Sequence, residues 1–217
     1  MEITFLGHSS FKIKSKSGIL VTDPFSSSMV GFKFPKVEAD IVTVSHSHQD
    51  HNFVAGVGGD PFIISSAGEY EVKGISVFGF PSFHDSAMGK ERGNNIIFVI
   101  EADGFRVCHL GDLGDQLTTR LLEEIGDIDI LMVPVGGTFT LDSKQAVEVV
   151  NQVEPLIILP MHYKEAGISE QNFGFLSGVD EFLSQMGAVN TEKLDKLTLI
   201  KDKLPSETKT IILERKE

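Results

Sequence analysis

The run Ile41-Val42-Thr43-Val44-Ser45-His46-Ser47-His48-Gln49-Asp50-His51 governs how the rest of the chain is read. Ile41 to Val44 form a short apolar, β-branched stretch that reads as a strand. It stops just before three histidines and an aspartate. One buried imidazole with a partner is ordinary. Three in a single turn beside a carboxylate cannot all be buried cheaply unless they share a partner. A metal ion is the obvious one, since imidazole and carboxylate are standard ligands; a solvated polar turn is the plainer alternative. In an extended segment positions 46 and 48 point the same way, so His46 and His48 can grip one ion. Asp50 and His51, past the bend, are placed to reach a second.

Upstream, Ile3–Leu6, Phe11–Ile13 and Ile19–Val21 read as short strands with tight turns at Gly7 and Ser17-Gly18, and Asp23-Pro24-Phe25 ends the third. Downstream, Phe62–Ile64 and Ile75–Phe78 are strand-like. Ile96–Ile100 and Phe105–His109 make a hairpin across Asp103-Gly104. Helix and strand then alternate. Leu117, Leu121, Leu122 and Ile125 share a helical stripe that Gly126 ends. Ile128–Val133 is a buried strand ended by Pro134. Asp142 and Gln145 are spaced as a capping box for a helix carrying Ala146, Val149 and Val150. Leu156–Leu159 is another strand, Val179–Met186 a helix ended by Gly187, and Leu197–Ile200 and Thr210–Leu213 are the last strands. No short-period repeat, low-complexity tract or linker-like run interrupts this order. The expectation is an α/β architecture in a single domain over residues 1–217, with two packed sheets and helices outside.

Composition narrows the function classes. The 217 residues are 41% hydrophobic and 23% charged, which is ordinary for a globular protein. A formal net charge of -12 argues against a surface for long nucleic acids. No apolar run approaches the roughly 20 residues that span a bilayer, so no membrane association is expected. Met1 to His8 show no cationic stretch followed by an apolar one. The sole cysteine, Cys108, excludes an internal disulfide and suits a reducing compartment; it reads as a small buried hydrophobe. A cytoplasmic location is the expectation.

The pattern His46-Ser47-His48-Gln49-Asp50-His51 after a strand resembles the His-x-His-x-Asp-His signature of the metallo-β-lactamase superfamily. That resemblance implies further ligands at matching places: His84 in Phe83-His84-Asp85 for the first metal, Asp112 in Leu110-Gly111-Asp112 bridging both metals, and His162 in Pro160-Met161-His162-Tyr163 for the second. Each follows an expected strand. Gly7-His8-Ser9, Thr22-Asp23-Pro24-Phe25 and the run Pro134 to Thr140 are similar to the small bacterial and archaeal branch of metal-dependent hydrolases related to ascorbate-6-phosphate lactonase. The resemblance implies an αββα four-layer sandwich with the site at one edge of the sheets.

Two divalent ions held by Asp50 and Asp112 leave a positive site inside an acidic chain, which would favour a small, anionic or polarised substrate and an acidic water. The expected reaction is hydrolysis of a small ester or lactone, with Asp50 and Asp112 as the catalytic carboxylates. Phosphodiester hydrolysis of nucleotides or RNA is the alternative; a di-iron redox protein and a non-catalytic metal module come from other classes. Zinc is the default ion, and manganese or iron fits the same ligands. His8 is read as a contact to substrate or to a ligand, against an ordinary turn histidine. Asp23 is read as a buttress for a ligating imidazole, against a simple Asp-Pro turn. His109 is read as buried rather than ligating. The segment 163–178 is read as pocket wall or packing loop, and the Gly136-Gly137-Thr138 turn as a source of backbone N–H groups for an anion. Association into a homo-oligomer is left open.

Overall fold

Asp103 and Gly104 both have positive φ (53° and 80°), as a two-residue type I′ turn requires, and Ala102 pairs with Phe105 across them. The computed structural model describes residues 1–188 and 191–216. The hairpin so formed, Asn94–Ala102 with Phe105–His109, is the centre of an eight-stranded sheet. Ile75–Phe83 and then Gly68–Val72 extend it antiparallel on one side. On the other side Ile130–Pro134, Ile157–Met161 and Lys209–Leu213 run parallel, with Glu192–Leu194 at the edge. The second large sheet has the order Leu197–Thr198, Glu2–Gly7, Ser10–Lys14, Ile19–Thr22, Ile41–Thr43, Phe62–Ile64.

Period-two alternation separates the layers. Phe98, Ile100, Val107, Met132 and Leu159 face Phe5, Phe11, Ile13, Leu20 and Ile41 of the other sheet in one buried cluster. Their chain neighbours Val99, Cys108, Leu131, Val133 and Ile158 point the opposite way, against Ala146, Val149, Val150 and Phe182. The last four lie on helices Ser143–Val153 and Val179–Gln185. The core is close-packed, so truncating a fully buried ring such as Phe98 to alanine is expected to cost about 3–5 kcal/mol. Asp142 and Gln145 form the expected capping box, and Thr118 caps helix Thr119–Ile125 through its side chain.

The outer face of the six-stranded sheet is covered differently. Val21 and Val42 pack against Phe25, Val30, Phe34, Phe173 and Leu176, carried by loops and by the one-turn helices Ser27–Val30 and Glu170–Phe173. The architecture is the αββα sandwich, with one helical layer reduced to short turns. Among the described residues no helix is long and apolar enough to cross a membrane.

Candidate metal centre

The cluster is assembled at strand ends. His8, Asp23, His84 and His162 each follow the last residue of a strand directly, while His46 and Asp112 come three residues after theirs. Both sheets therefore deliver side chains to one rim, where the backbone stops satisfying its neighbours and polar groups can converge. His8 and His162 adopt positive φ (57° and 52°), and the His162 N–H donates to the His8 carbonyl at 2.8 Å, which fixes the two turns against each other.

The seven residues expected from the superfamily pattern lie together. His46, His48 and His84 form one group of mutually close ligand atoms. Asp50, His51 and His162 form a second, and His8 joins it. Between them stands Asp112: its Oδ2 lies 3.9 Å from His46 Nε2, 3.3 Å from His84 Nε2, and 3.2 Å from the Nε2 atoms of both His51 and His162. Donor atoms about 2.0–2.2 Å from a common tetrahedral ion lie roughly 3.3 Å from one another, so these spacings suit metal ligation. The Nε2 atoms of His46, His51 and His162 and the Oδ1 of Asp112 are buried and lack hydrogen-bond partners. Orphaned donor sets of this kind carry a desolvation cost that a shared cation removes. Burial holds His46 down to about 3 and His8 to about 4, so both imidazoles are neutral, the form that binds metal.

Around this cluster the supporting contacts are specific. Asp23 is fully buried; it accepts from His51 Nδ1 at 2.9 Å, from the Ser45 N–H at 2.8 Å and from Ser45 Oγ at 2.5 Å. Its carboxylate is thereby engaged in orienting His51, and Ser45 Oγ in turn lies 3.0 Å from His46 Nδ1. His8 places Nε2 3.1 Å from Asp50 Oδ2, and its N–H donates to Glu165 at 2.7 Å. Burial would raise the Asp50 carboxyl, but the neighbouring His51 imidazole and the hydrogen bond with His8 hold it far below the usual range. His109 is buried away from the metal groups, with Nε2 2.8 Å from the Ser9 carbonyl.

Four further residues contribute that the sequence did not single out as candidates. Asn95, fully buried, accepts the Asp112 N–H at 2.9 Å and donates to Ser82 and to the Leu110 carbonyl, which clamps the loop bearing Asp112. Asp85 accepts the N–H groups of Ala87, Gly89, Glu91 and Arg92, so the loop after His84 is wound about one carboxylate. Although burial opposes it, those four donors hold the Asp85 carboxyl below the ordinary range. Glu165 accepts from the His8 backbone, and burial pushes its carboxyl up to about 7. Phe139 forms part of the cavity wall. A short Asp-plus-glycine loop beside His84 was the available hint for Asp85; Asn95 offered none.

In the Gly136-Gly137-Thr138 turn one N–H is already committed and one glycine is packed against the His162 backbone. The Gly137 N–H is spent on the Leu141 carbonyl, and Gly136 lies so close to His162 that a Cβ there would meet its carbonyl oxygen at 2.1 Å. Within the segment 163–178, Asn172 and Phe173 line the cavity above the cluster, which has a volume of about 440 Å³ and is floored by His48, Asp50, His84 and Asp112.

Residues 2–162 match the β-lactamase superfamily domain. The chain is 32% identical to a UPF0173 metal-dependent hydrolase of Thermococcus onnurineus, over 75% of this chain and 84% of that one. It is 31% identical to one from Carboxydothermus hydrogenoformans over the same shares of each chain. Among solved structures, a candidate zinc-dependent hydrolase of the metallo-β-lactamase superfamily from Thermotoga maritima shares 38% identity, covers 99% of both chains and gives a TM-score of 0.80.

Proposed function

The chain belongs to the β-lactamase superfamily, and on that premise we propose that it is a metal-dependent hydrolase that uses two divalent ions to cleave a small ester or lactone. The observation that carries this reading is Asp112 Oδ2 standing within 3.2–3.9 Å of four imidazole nitrogens on the floor of an open cavity. His46, His48 and His84 would hold one ion, Asp50, His51 and His162 the other, and Asp112 would touch both. When bound, the ions supply Lewis acidity to a substrate oxygen and lower the pKa of water.

The chain's own residues do the rest. Asp50, charged and held by the hydrogen bond with His8, is placed to align an attacking water as well as to hold its ion. Asp23 keeps His51 in the tautomer whose Nε2 is free for an ion. Phe139 and Phe173 wall the cavity and limit water around the reacting group. Zinc is the expected ion, because the first group is all imidazole.

The test uses protein of measured metal content on a chromogenic acyl ester, a sugar lactone and a bis-aryl phosphodiester, beside Asp112→Ala. Ester or lactone turnover that is lost in the variant supports the reading. Turnover of the phosphodiester alone would replace it with phosphodiesterase chemistry.

A further inference from the structure

From Arg92 we infer that the substrate of this site carries a negatively charged oxyanion, carboxylate or phosphate, away from the bond that is cleaved; the inference rests on the hydrolase reading above. Arg92 is the only cationic side chain lining the cavity among the described residues. The loop that carries it is built to hold it there. Its backbone N–H is one of the four that Asp85 accepts, at 2.8 Å, and the loop returns to the metal group through His84, whose N–H donates to the Gly93 carbonyl at 3.1 Å.

The guanidinium is arranged as a receptor. Its carbon lies over the Phe139 ring, 4.8 Å from the centroid, a cation–π contact that helps to hold it in place. Nη2 donates to the Thr138 carbonyl at 3.3 Å. A guanidinium has five N–H donors, and no other side-chain hydrogen bond or ion pair of Arg92 occurs among the described residues, so an edge suited to bidentate oxyanion binding is left over. A cation held over an aromatic ring and paired with no carboxylate among the described residues, in a chain of net charge -12, calls for a ligand that brings the anion. Met29, Phe139 and Phe173 would cover the apolar stem between that anion and the reacting carbonyl.

The experiment measures binding, so it does not depend on finding the substrate. Zinc-loaded protein is titrated calorimetrically with three hydroxamates of matched length: butyrohydroxamate, succinic monohydroxamate and 3-phosphonopropanehydroxamate. All share the metal-chelating end, and only the last two carry an anion at the far end. The expected result is that at least one anionic probe binds about ten- to hundredfold more tightly than the neutral one, as a hydrogen-bonded charge contributes. Arg92→Gln should abolish that advantage while leaving the neutral probe unchanged, and Arg92→Lys should restore part of it. Whichever anionic probe gains more identifies carboxylate or phosphate as the preferred group. Equal binding of all three, or an advantage that survives Arg92→Gln, overturns the inference and leaves the metal site standing. Failure of every hydroxamate to bind overturns the metal-site reading and this inference with it.

Discussion

The carboxylate of Asp23 accepts the Nδ1 hydrogen of His51 at 2.9 Å while both its oxygens are also engaged by Ser45, whose hydroxyl lies 3.0 Å from His46 Nδ1. One buried acid thus braces an imidazole from each metal group. Removing it should therefore weaken both ions. Asp23→Ala is expected to lower metal affinity about 10- to 100-fold, read by competition with a chromogenic chelator. Asp23→Asn, which still accepts a hydrogen bond, should lose less. Unchanged affinity in the alanine variant would leave Asp23 with only a role in its turn.

His8 touches one group alone. Its Nε2 faces Asp50, and its ring lies tilted against that of His162 with centroids 4.2 Å apart. His8→Ala should release the ion of the Asp50, His51 and His162 group at a lower chelator concentration and leave the ion of the His46, His48 and His84 group in place. Metal analysis after dialysis against graded chelator would then pass through a plateau near one ion per chain. Retention of both ions at wild-type affinity would assign His8 to substrate contact or to the turn.

How much of this was legible in the sequence depends on how local each cause is. His46, His48, Asp50 and His51 announce themselves within six residues, whereas His84, Asp112 and His162 are reached only through the resemblance to the superfamily, each at the place after an expected strand where its pattern puts a ligand. The 103–104 hairpin and the Asp142–Gln145 capping box are equally local. Asn95 is different: it acts on Asp112 across 17 residues through the tertiary fold, and nothing nearby marks it. Arg92 meets Phe139 only because two loops converge on the same rim. Strand Gly68–Val72 escaped because its glutamates face solvent on a sheet edge, where charge guards against further pairing and hides the alternation. The short helices 27–30 and 170–173 are too brief to show a period.

Gly136 offers a test of position without touching a ligand side chain. The Cβ of an alanine there would stand 2.1 Å from the His162 carbonyl oxygen and 3.1 Å from Tyr163 Cα, so the backbone carrying His162 would have to move. Gly136→Ala is expected to destabilise the fold by about 1–3 kcal/mol through overpacking and to weaken the same ion that His8→Ala weakens. Thermal unfolding with and without added zinc separates the two effects. The variant's zinc-dependent rise in Tm should be smaller than that of the wild type. An equal rise would show that His162 keeps its place.

Cys108 lies on the helix-facing side of its strand, fully buried between Val107 and His109, and burial pushes its thiol up to about 12 against the pull of Arg106. Because only the thiolate is a good nucleophile, the native protein should fail to react with a disulfide reagent at pH 8, whereas denaturant should expose one reactive thiol per chain. The same shift fixes a sign for alkaline stability. Below pH 9 the thiol is neutral whether the chain is folded or not, and it costs nothing. Between pH 9 and 12 the unfolded thiol ionises and the folded one does not, so the unfolded chain holds fewer protons and stability falls as pH rises. Cys108→Ala should therefore lose less stability than wild type across that window, by at most about 4 kcal/mol. Parallel pH curves for the two proteins, or labelling of the native thiol at pH 8, would mean that Cys108 is reached by solvent through local opening of this strand.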